Sequence, residues 1–77
     1  MPITCDIHSR FCRNMRARRL ELEMTQQQLA EATGLYQPDI SEFEAGRKEP
    51  SLKTISIIAK GLRIPPEAML LHDLVPV

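Results

Sequence analysis

The fold is decided by residues 25–46, which read TQQQLAEATGLYQPDISEFEAG. Thr25 can cap a helix with its hydroxyl, while Gln28, three residues later, can reach back to the Thr25 backbone. Gly34 suits the position just past a helix C-terminus, where a left-handed backbone favours glycine. The first part of the stretch therefore predicts a helix that starts after Thr25 and ends before Gly34.

The second part of the stretch predicts another short helix, from about Gln37 to Ala45. Pro38 is tolerated in its first turn, where no intrahelical N–H bond is needed. Gly46 then closes the helix. Two short helices joined by a tight turn within about twenty residues indicate a helix-turn-helix.

Helical patterns also flank the helix-turn-helix on both sides. A first helix should place one stripe inward, and that stripe contains a single charge, so the charge needs a buried partner. A fourth helix should begin after an N-cap at Ser51, and Pro65-Pro66 should start a short fifth. The inward stripes are Phe11, Met15, Arg19 and Leu22 in the first helix, and Leu52, Ile55, Ile58, Ala59 and Leu62 in the fourth.

Length and composition fit one all-α domain. The chain has 77 residues, of which 43% are hydrophobic and 26% are charged. A chain of this length is too short for two hydrophobic cores, and its composition is too apolar for a disordered chain. We assign residues 1–10 to a short extension leading into the first helix, 11–72 to the domain and 73–77 to an apolar tail. No apolar stretch approaches a membrane span and no secretory signal is visible, so we expect a cytoplasmic protein.

The motif resembles a known family over roughly residues 11–71. The residues that carry the resemblance are Thr25-Gln26, Leu29-Ala30, Gly34, Ile40-Ser41, Glu44, Gly46 and Pro50-Ser51. They are similar to the lambda-repressor-like, or XRE, helix-turn-helix family. The resemblance implies a five-helix DNA-binding domain whose third helix enters the major groove of duplex DNA.

The face of the third helix that would meet base edges follows from helical geometry. If Ile40 and Phe43 point inward, 100° per residue turns the opposite face outward. The resemblance then makes four residues the candidates for base contacts: Gln37, Pro38, Ser41 and Glu42. Gln suits adenine and Glu suits cytosine, whereas Pro38 leaves only apolar contact. Asp39, at the flank, should exclude sequences rather than attract them.

Four further residues are expected at DNA phosphates. Thr25 and Gln26 lie at the start of the second helix, where free N–H groups and the positive end of the dipole favour an anion. Arg47 and Lys48 follow the third helix and would meet the strand beside the groove. An ordinary basic turn is the alternative for this pair.

Arg19 and Glu44 occupy positions that in similar proteins form a partly buried ion pair between the first and third helices. Glu44 lies at the edge of the inward face, which agrees with that placement. Its role would be structural, because removal of one partner leaves a poorly solvated charge.

Charge gives little support for a nucleic-acid partner in the chain as a whole. Ten Lys and Arg balance ten Asp and Glu, although five arginines concentrate between residues 10 and 19. That basic run can equally be a solvated helix face.

Apolar residues near the C-terminus exceed what a small core can bury. We take them as a homodimer surface, with packing against the first and fourth helices of the same chain as the alternative: Ile64, Met69, Leu70, Leu71, Leu74 and Val75. Dimers of such modules bind pseudo-palindromic sites.

No catalytic, cofactor or metal site is expected. Cys5, His8 and Cys12 are spaced as C-x2-H-x3-C, but structural zinc almost always takes four ligands and only three are visible. We take both cysteines as reduced thiols. No serine has a base partner, and no glycine-rich phosphate loop is present.

The sequence thus predicts a sequence-specific transcriptional regulator that acts as a homodimer. Three types stay open: a phage-type repressor, a toxin-neutralising antitoxin with a protein partner, and a restriction-modification controller, which the length slightly favours. The alternative from another class is a protein-interaction module whose acidic third helix binds a protein and no DNA. Asp39, Glu42 and Glu44 support that alternative.

Overall fold

The computed structural model describes residues 6–74, and these form five α-helices without a strand. The helices are α1 (Asp6–Glu21), α2 (Gln26–Thr33), α3 (Gln37–Glu44), α4 (Leu52–Gly61) and α5 (Pro66–Leu71). The predicted all-α, five-helix class is confirmed. Residues 1–5 of the predicted extension and 75–77 of the predicted tail lie outside this range.

Helix α1 begins at Asp6, ahead of Phe11, where sequence analysis began the domain. Arg10, the last residue of the segment assigned to the extension, contacts the C-terminal part of the chain: its Nε donates to Asp73 Oδ1 at 3.0 Å, and its Nη1 donates to the Leu70 carbonyl at 3.2 Å. The division of the chain at residue 11 remains a prediction.

Local sequence signals set the ends of α2 as predicted. The Gln28 N–H donates to Thr25 Oγ1 at 3.0 Å, and the Thr25 N–H donates to Gln28 Oε1 at 2.8 Å. Gly34 has a φ of 75°, and its N–H donates to the Ala30 carbonyl at 2.8 Å. The predicted capping box and glycine cap are both confirmed.

Every helix contributes to one core, and the four helices after α1, of 6 to 10 residues each, are too short to be stable alone. The core contains most of the predicted inward apolar residues of the first four helices together with one residue of α5, while Leu22 and Ile55 are only partly buried against it. Its buried apolar members are Phe11, Met15, Leu29, Ala30, Ile40, Phe43, Ile58, Ala59, Leu62 and Met69.

Two features of α4 were not predicted. Leu52, assigned to the inward face, is 84% exposed: it lies only about 20° from the buried Ala59 around the helix, but it is the first residue of α4 and lies beyond the end of the buried stripe. Gly61 lies so close to α2 that a Cβ there would be 2.5 Å from Thr33 Cγ2. The absence of a side chain at Gly61 therefore allows α2 and α4 to pack closely.

A buried asparagine holds the segment after α5 against α1. Asn14 Nδ2 donates to the carbonyls of Met69 at 2.7 Å and His72 at 2.6 Å. Asn14 Oδ1 accepts from the Leu74 N–H at 2.9 Å. One side chain on α1 thus satisfies three backbone groups at the C-terminal end of α5.

Most arginines of the basic run of α1 form ion pairs within the domain. Four of its five arginines form ion pairs within the domain: Arg10 and Arg13 with Asp73, Arg18 with Glu21, and Arg19 with Glu44. Arg16 forms no ion pair within residues 6–74. The alternative of a solvated helix face therefore holds for part of the run, since Arg13 and Arg16 are exposed, whereas Arg10 and Arg19 pair with residues outside α1.

Candidate nucleic-acid interface

Two buried side chains fix α3 on the core and turn its opposite face to solvent. Ile40 and Phe43 are buried, as the helical geometry required. The four residues predicted at base edges lie on the solvent side or in the exposed first turn: Gln37 and Pro38 are exposed, and Ser41 and Glu42 are half-buried. Their role in reading bases remains a prediction.

The predicted ion pair between α1 and α3 has bidentate geometry. Arg19 Nε is 2.7 Å from Glu44 Oε2, and Arg19 Nη2 is 3.0 Å from Glu44 Oε1. The two side chains are only 9% and 4% exposed, and Arg19 Nη1 also donates to the Met24 carbonyl at 2.7 Å. Because the planar guanidinium matches the carboxylate in a fixed geometry, the pair orients α3 relative to α1.

A chain of hydrogen bonds runs from this ion pair to the surface. Gln26 Nε2 donates to Glu44 Oε1 at 3.3 Å. Gln37 Nε2 in turn donates to Gln26 Oε1 at 3.1 Å. The side chain of Gln37, a predicted base contact, is therefore positioned from the interior. Sequence analysis missed this connection, because Gln26 and Gln37 are on different helices.

The start of α2 presents backbone donors. The N–H groups of Gln26 and Gln27 make no hydrogen bond within residues 6–74, while the side chain of Thr25 is exposed. Since the Gln26 side chain is engaged by Glu44 and Gln37, its backbone N–H is the group that can contact an anion. The phosphate role of Thr25 and Gln26 remains a prediction, now restricted to these atoms.

The two cations predicted at phosphates already have carboxylate partners on α3. Arg47 Nε lies 3.0 Å from Glu42 Oε2, and their side chains are 69% and 44% exposed. Lys48 Nζ lies 2.9 Å from Asp39 Oδ1, with 51% and 37% exposed. Sequence analysis treated the cations and the acids as independent. Their separations of five and nine residues fit no local pairing rule, so only the turn after α3 brings them together.

The predicted dimer residues differ in burial. Met69 is completely buried in the core, so its assignment to a dimer surface is wrong: it fills the space between α5 and the rest of the domain. Ile64 and Leu70 are partly buried against the same core. Leu71 is 63% exposed and Leu74 is half-buried, so both remain available to a partner. Val75 lies outside the described residues.

Two residues of the C-x2-H-x3-C spacing, His8 and Cys12, lie within the described part of the chain. Within residues 6–74, no group of three His, Cys, Asp or Glu side chains is arranged to hold a metal ion. Burial raises the pKa of the Cys12 thiol, and His8 Nε2 is buried without a hydrogen-bond partner in this range. Cys5 lies outside it. A search of the same residues also finds no helix with the length and apolar character needed to cross a bilayer.

Comparisons of the sequence with known proteins show which family it matches. A family model described as helix-turn-helix matches residues 15–69. An uncharacterized HTH-type transcriptional regulator of Mycobacterium tuberculosis is 36% identical over 55 residues, which cover 71% of this chain. The match spans only 39% of the length of that relative.

Solved structures share the fold over nearly the whole chain. A hypothetical transcription factor from Neisseria, NHTF, superposes with a TM-score of 0.83 and 28% identity, covering 94% of this chain and 83% of that one. The restriction-modification controller protein C.Esp1396I, solved as a tetramer with its natural 35-base-pair operator, gives a TM-score of 0.78 and 27% identity, covering 87% of each chain. The chain therefore belongs to the lambda-repressor-like, or XRE, helix-turn-helix DNA-binding family.

Proposed function

We propose that this chain is a transcriptional regulator that binds specific sites in duplex DNA through α3 and acts by binding rather than by catalysis. The observation that carries the proposal is the outward face of α3, where polar side chains stand on a helix fixed by Ile40, Phe43 and the Arg19–Glu44 pair. A rigid helix with polar outward groups is what base-edge recognition in the major groove requires. The operator complex of the similar controller protein C.Esp1396I supports the proposal.

The contacts divide by chemistry. Gln37 can form hydrogen bonds with adenine, and Glu42 can accept a hydrogen bond from the cytosine amino group. The Ser41 hydroxyl can donate or accept a hydrogen bond at a base edge, and Pro38 can contact a thymine methyl group. The backbone at the start of α2, Thr25, Arg47 and Lys48 would meet phosphates, which set register but carry no sequence information.

Binding as a homodimer would double a small interface. A single module makes few base contacts, and two modules on a pseudo-palindrome place their reading helices about 34 to 36 Å apart, one turn of B-DNA. The candidates for the dimer contact are the predicted residues other than the buried Met69: Ile64, Leu70, Leu71, Leu74 and Val75. Replacement of Leu71 and Leu74 by Glu should give a folded monomer in sedimentation, since both side chains reach solvent. A parent chain that is already monomeric while it saturates DNA would disprove this interface.

The experiment that tests DNA recognition is selection of binding sites from random duplexes, followed by competition titrations. Gln37→Ala, Ser41→Ala and Glu42→Gln should each change the preference among selected sites, with a discrimination of about 1 to 3 kcal/mol per good base contact. Phe43→Ala is the control: it should lower the melting temperature and leave the preference of the folded fraction unchanged. If all three outward variants keep the parent preference, α3 does not read the bases.

A protein-interaction module is the second candidate function, including an antitoxin that binds its toxin. The acidic residues Glu42 on the outward face of α3 and Asp39 at its flank favour it, as does the zero net charge. Failure of the parent chain to bind any duplex at low salt would support this function over DNA binding.

The subtype within the family is also a proposal. A restriction-modification controller fits the likeness to C.Esp1396I, and a phage-type repressor is the other regulator type that binds an operator. A gel shift with DNA upstream of the chain's own gene, at two salt concentrations, tests whether the chain regulates its own expression.

A further inference from the structure

Two acids of α3 and two cations of the loop after it form ion pairs in which the charges cancel. Glu42 holds Arg47 at 3.0 Å, and Asp39 holds Lys48 at 2.9 Å. The Arg47 N–H also donates to the Glu42 carbonyl at 3.0 Å, which keeps the loop beside the helix. These four residues therefore add no net charge to the face that would contact duplex DNA.

Duplex DNA would act on the two members of each pair in opposite directions. A phosphate attracts Arg47 and Lys48 but repels Asp39 and Glu42, so contact with a cation that stays paired brings the phosphate close to a carboxylate, and displacement of the carboxylate removes that repulsion from the contact. The pairs are open enough for this exchange, since all four side chains are more than a third exposed and such ion pairs are weak. After the exchange, each carboxylate faces the groove without a partner unless a base supplies a donor.

We propose that the Asp39–Lys48 and Glu42–Arg47 ion pairs couple phosphate contact to base recognition, so that non-cognate DNA is rejected. This inference rests on the proposed DNA-binding function. At a cognate site, a base amino group in the major groove replaces the cation at the carboxylate, and the cation moves to a phosphate. At a non-cognate site, either the cations stay paired or the carboxylates remain unpaired near phosphates. Asp39 and Glu42 are then specificity-determining residues that act partly through Lys48 and Arg47.

The test removes the two negative charges and leaves the shapes unchanged. The double variant Asp39→Asn with Glu42→Gln should bind a random-sequence duplex more tightly than the parent, as measured by fluorescence anisotropy. A plot of the logarithm of its binding constant against the logarithm of the salt concentration should be steeper than that of the parent by up to about 1.8, from two phosphate contacts at about 0.9 each. The reason is that, in the variant, no freed carboxylate takes up cations from solution when Arg47 and Lys48 bind phosphates. The advantage over the parent should then fall up to about twelvefold between about 50 and 200 mM salt.

A charge-matched control separates pairing from net charge. Glu31→Gln with Glu67→Gln removes the same two charges from acids that form no ion pair within residues 6–74. This control should change non-specific affinity less than the α3 variant does. An equal gain in the two double variants would overturn the inference, because net charge alone would account for it.

A double-mutant cycle gives the sharper result. In a background with Arg47→Ala and Lys48→Ala, the acid-removing variant should lose most of its gain and its steeper salt slope. The same gain in both backgrounds would mean that the carboxylates only repel DNA, and coupling through the cations would be disproved. If neither the parent nor any variant binds duplex DNA at low salt, the proposed function itself fails and this inference fails with it.

Discussion

Two kinds of ion pair lie within a few residues of each other on α3, and they differ in burial. Glu44 faces inward and is clamped by Arg19 in a nearly water-free environment, whereas Glu42 faces outward and pairs with Arg47 where water reaches both groups. The chemical groups are the same, a carboxylate and a guanidinium. Burial makes the first a structural element of the fold and leaves the second free to exchange partners, so position on the helix decides the role of the charge.

The largest effect is expected from breaking the buried pair. Glu44→Ala should lower the free energy of unfolding by about 3 to 5 kcal/mol, because Arg19 would remain as a buried charge without its partner. Urea denaturation followed by circular dichroism measures this loss. A double variant, Arg19→Met with Glu44→Leu, should recover much of the stability, since neither charge then remains buried. A Glu44→Ala protein as stable as the parent would show that burial does not make the Arg19–Glu44 pair a structural element of the fold.

Replacement of Asn14 tests whether a buried polar side chain without a formal charge also contributes strongly to stability. Asn14→Ala should cost about 1 to 3 kcal/mol per buried backbone group left unsatisfied, chiefly at the carbonyl of Met69. Hydrogen exchange should show faster opening of the segment after α5, where the Leu74 N–H loses its acceptor. Unchanged exchange at Leu74 would mean that this segment does not depend on α1.

Substitution of Thr25, the N-cap of α2, measures how much an exposed and uncharged hydrogen bond contributes to stability. Thr25→Ala should reduce stability by about 1 kcal/mol, because it removes the acceptor for the Gln28 N–H. Thr25→Ser, which keeps the hydroxyl, is the matched control and should remain close to the parent. Thermal denaturation of the three proteins gives the comparison. An equal loss in both variants would trace the effect to the methyl group of Thr25 rather than to the cap.

The smallest effect on stability is expected from the exposed pair. Arg47→Ala should change the free energy of unfolding by about 0.2 to 1 kcal/mol, and added salt should remove the difference. Denaturation at low and high salt measures it. A salt-independent loss comparable to that of Glu44→Ala would show that the exposed pair holds the loop in place, and it would remove the physical basis for partner exchange.

The local signals in the sequence were sufficient for the helices and their caps. Thr25 with Gln28, Gly34 and Ser51 interact with groups a few residues away, so the sequence placed these helix ends. The inward stripe of α1 and the orientation of α3 also followed, because helical periodicity alone assigns faces. The α4 stripe failed at Leu52 because periodicity does not show where a stripe ends.

The dimer prediction failed in part for a related reason. An apolar segment at the C-terminus can pack on its own domain or on a second copy, and the sequence does not distinguish the two. Met69 lies in the core and Leu71 in solvent, although they are two residues apart on one short helix.

The sequence by itself determined the helix-turn-helix, its caps, the inward residues of α3 and the pairing of Arg19 with Glu44, the last through resemblance to a family. These features depend on local geometry or on a motif. The tertiary structure alone decided that Asn14 secures the segment after α5, that Gln26 links Glu44 to Gln37, and that Arg47 and Lys48 are paired with Glu42 and Asp39. The physical reason is that these contacts join different helices or cross a turn. Their distances depend on how the helices pack, which no local spacing in the sequence specifies.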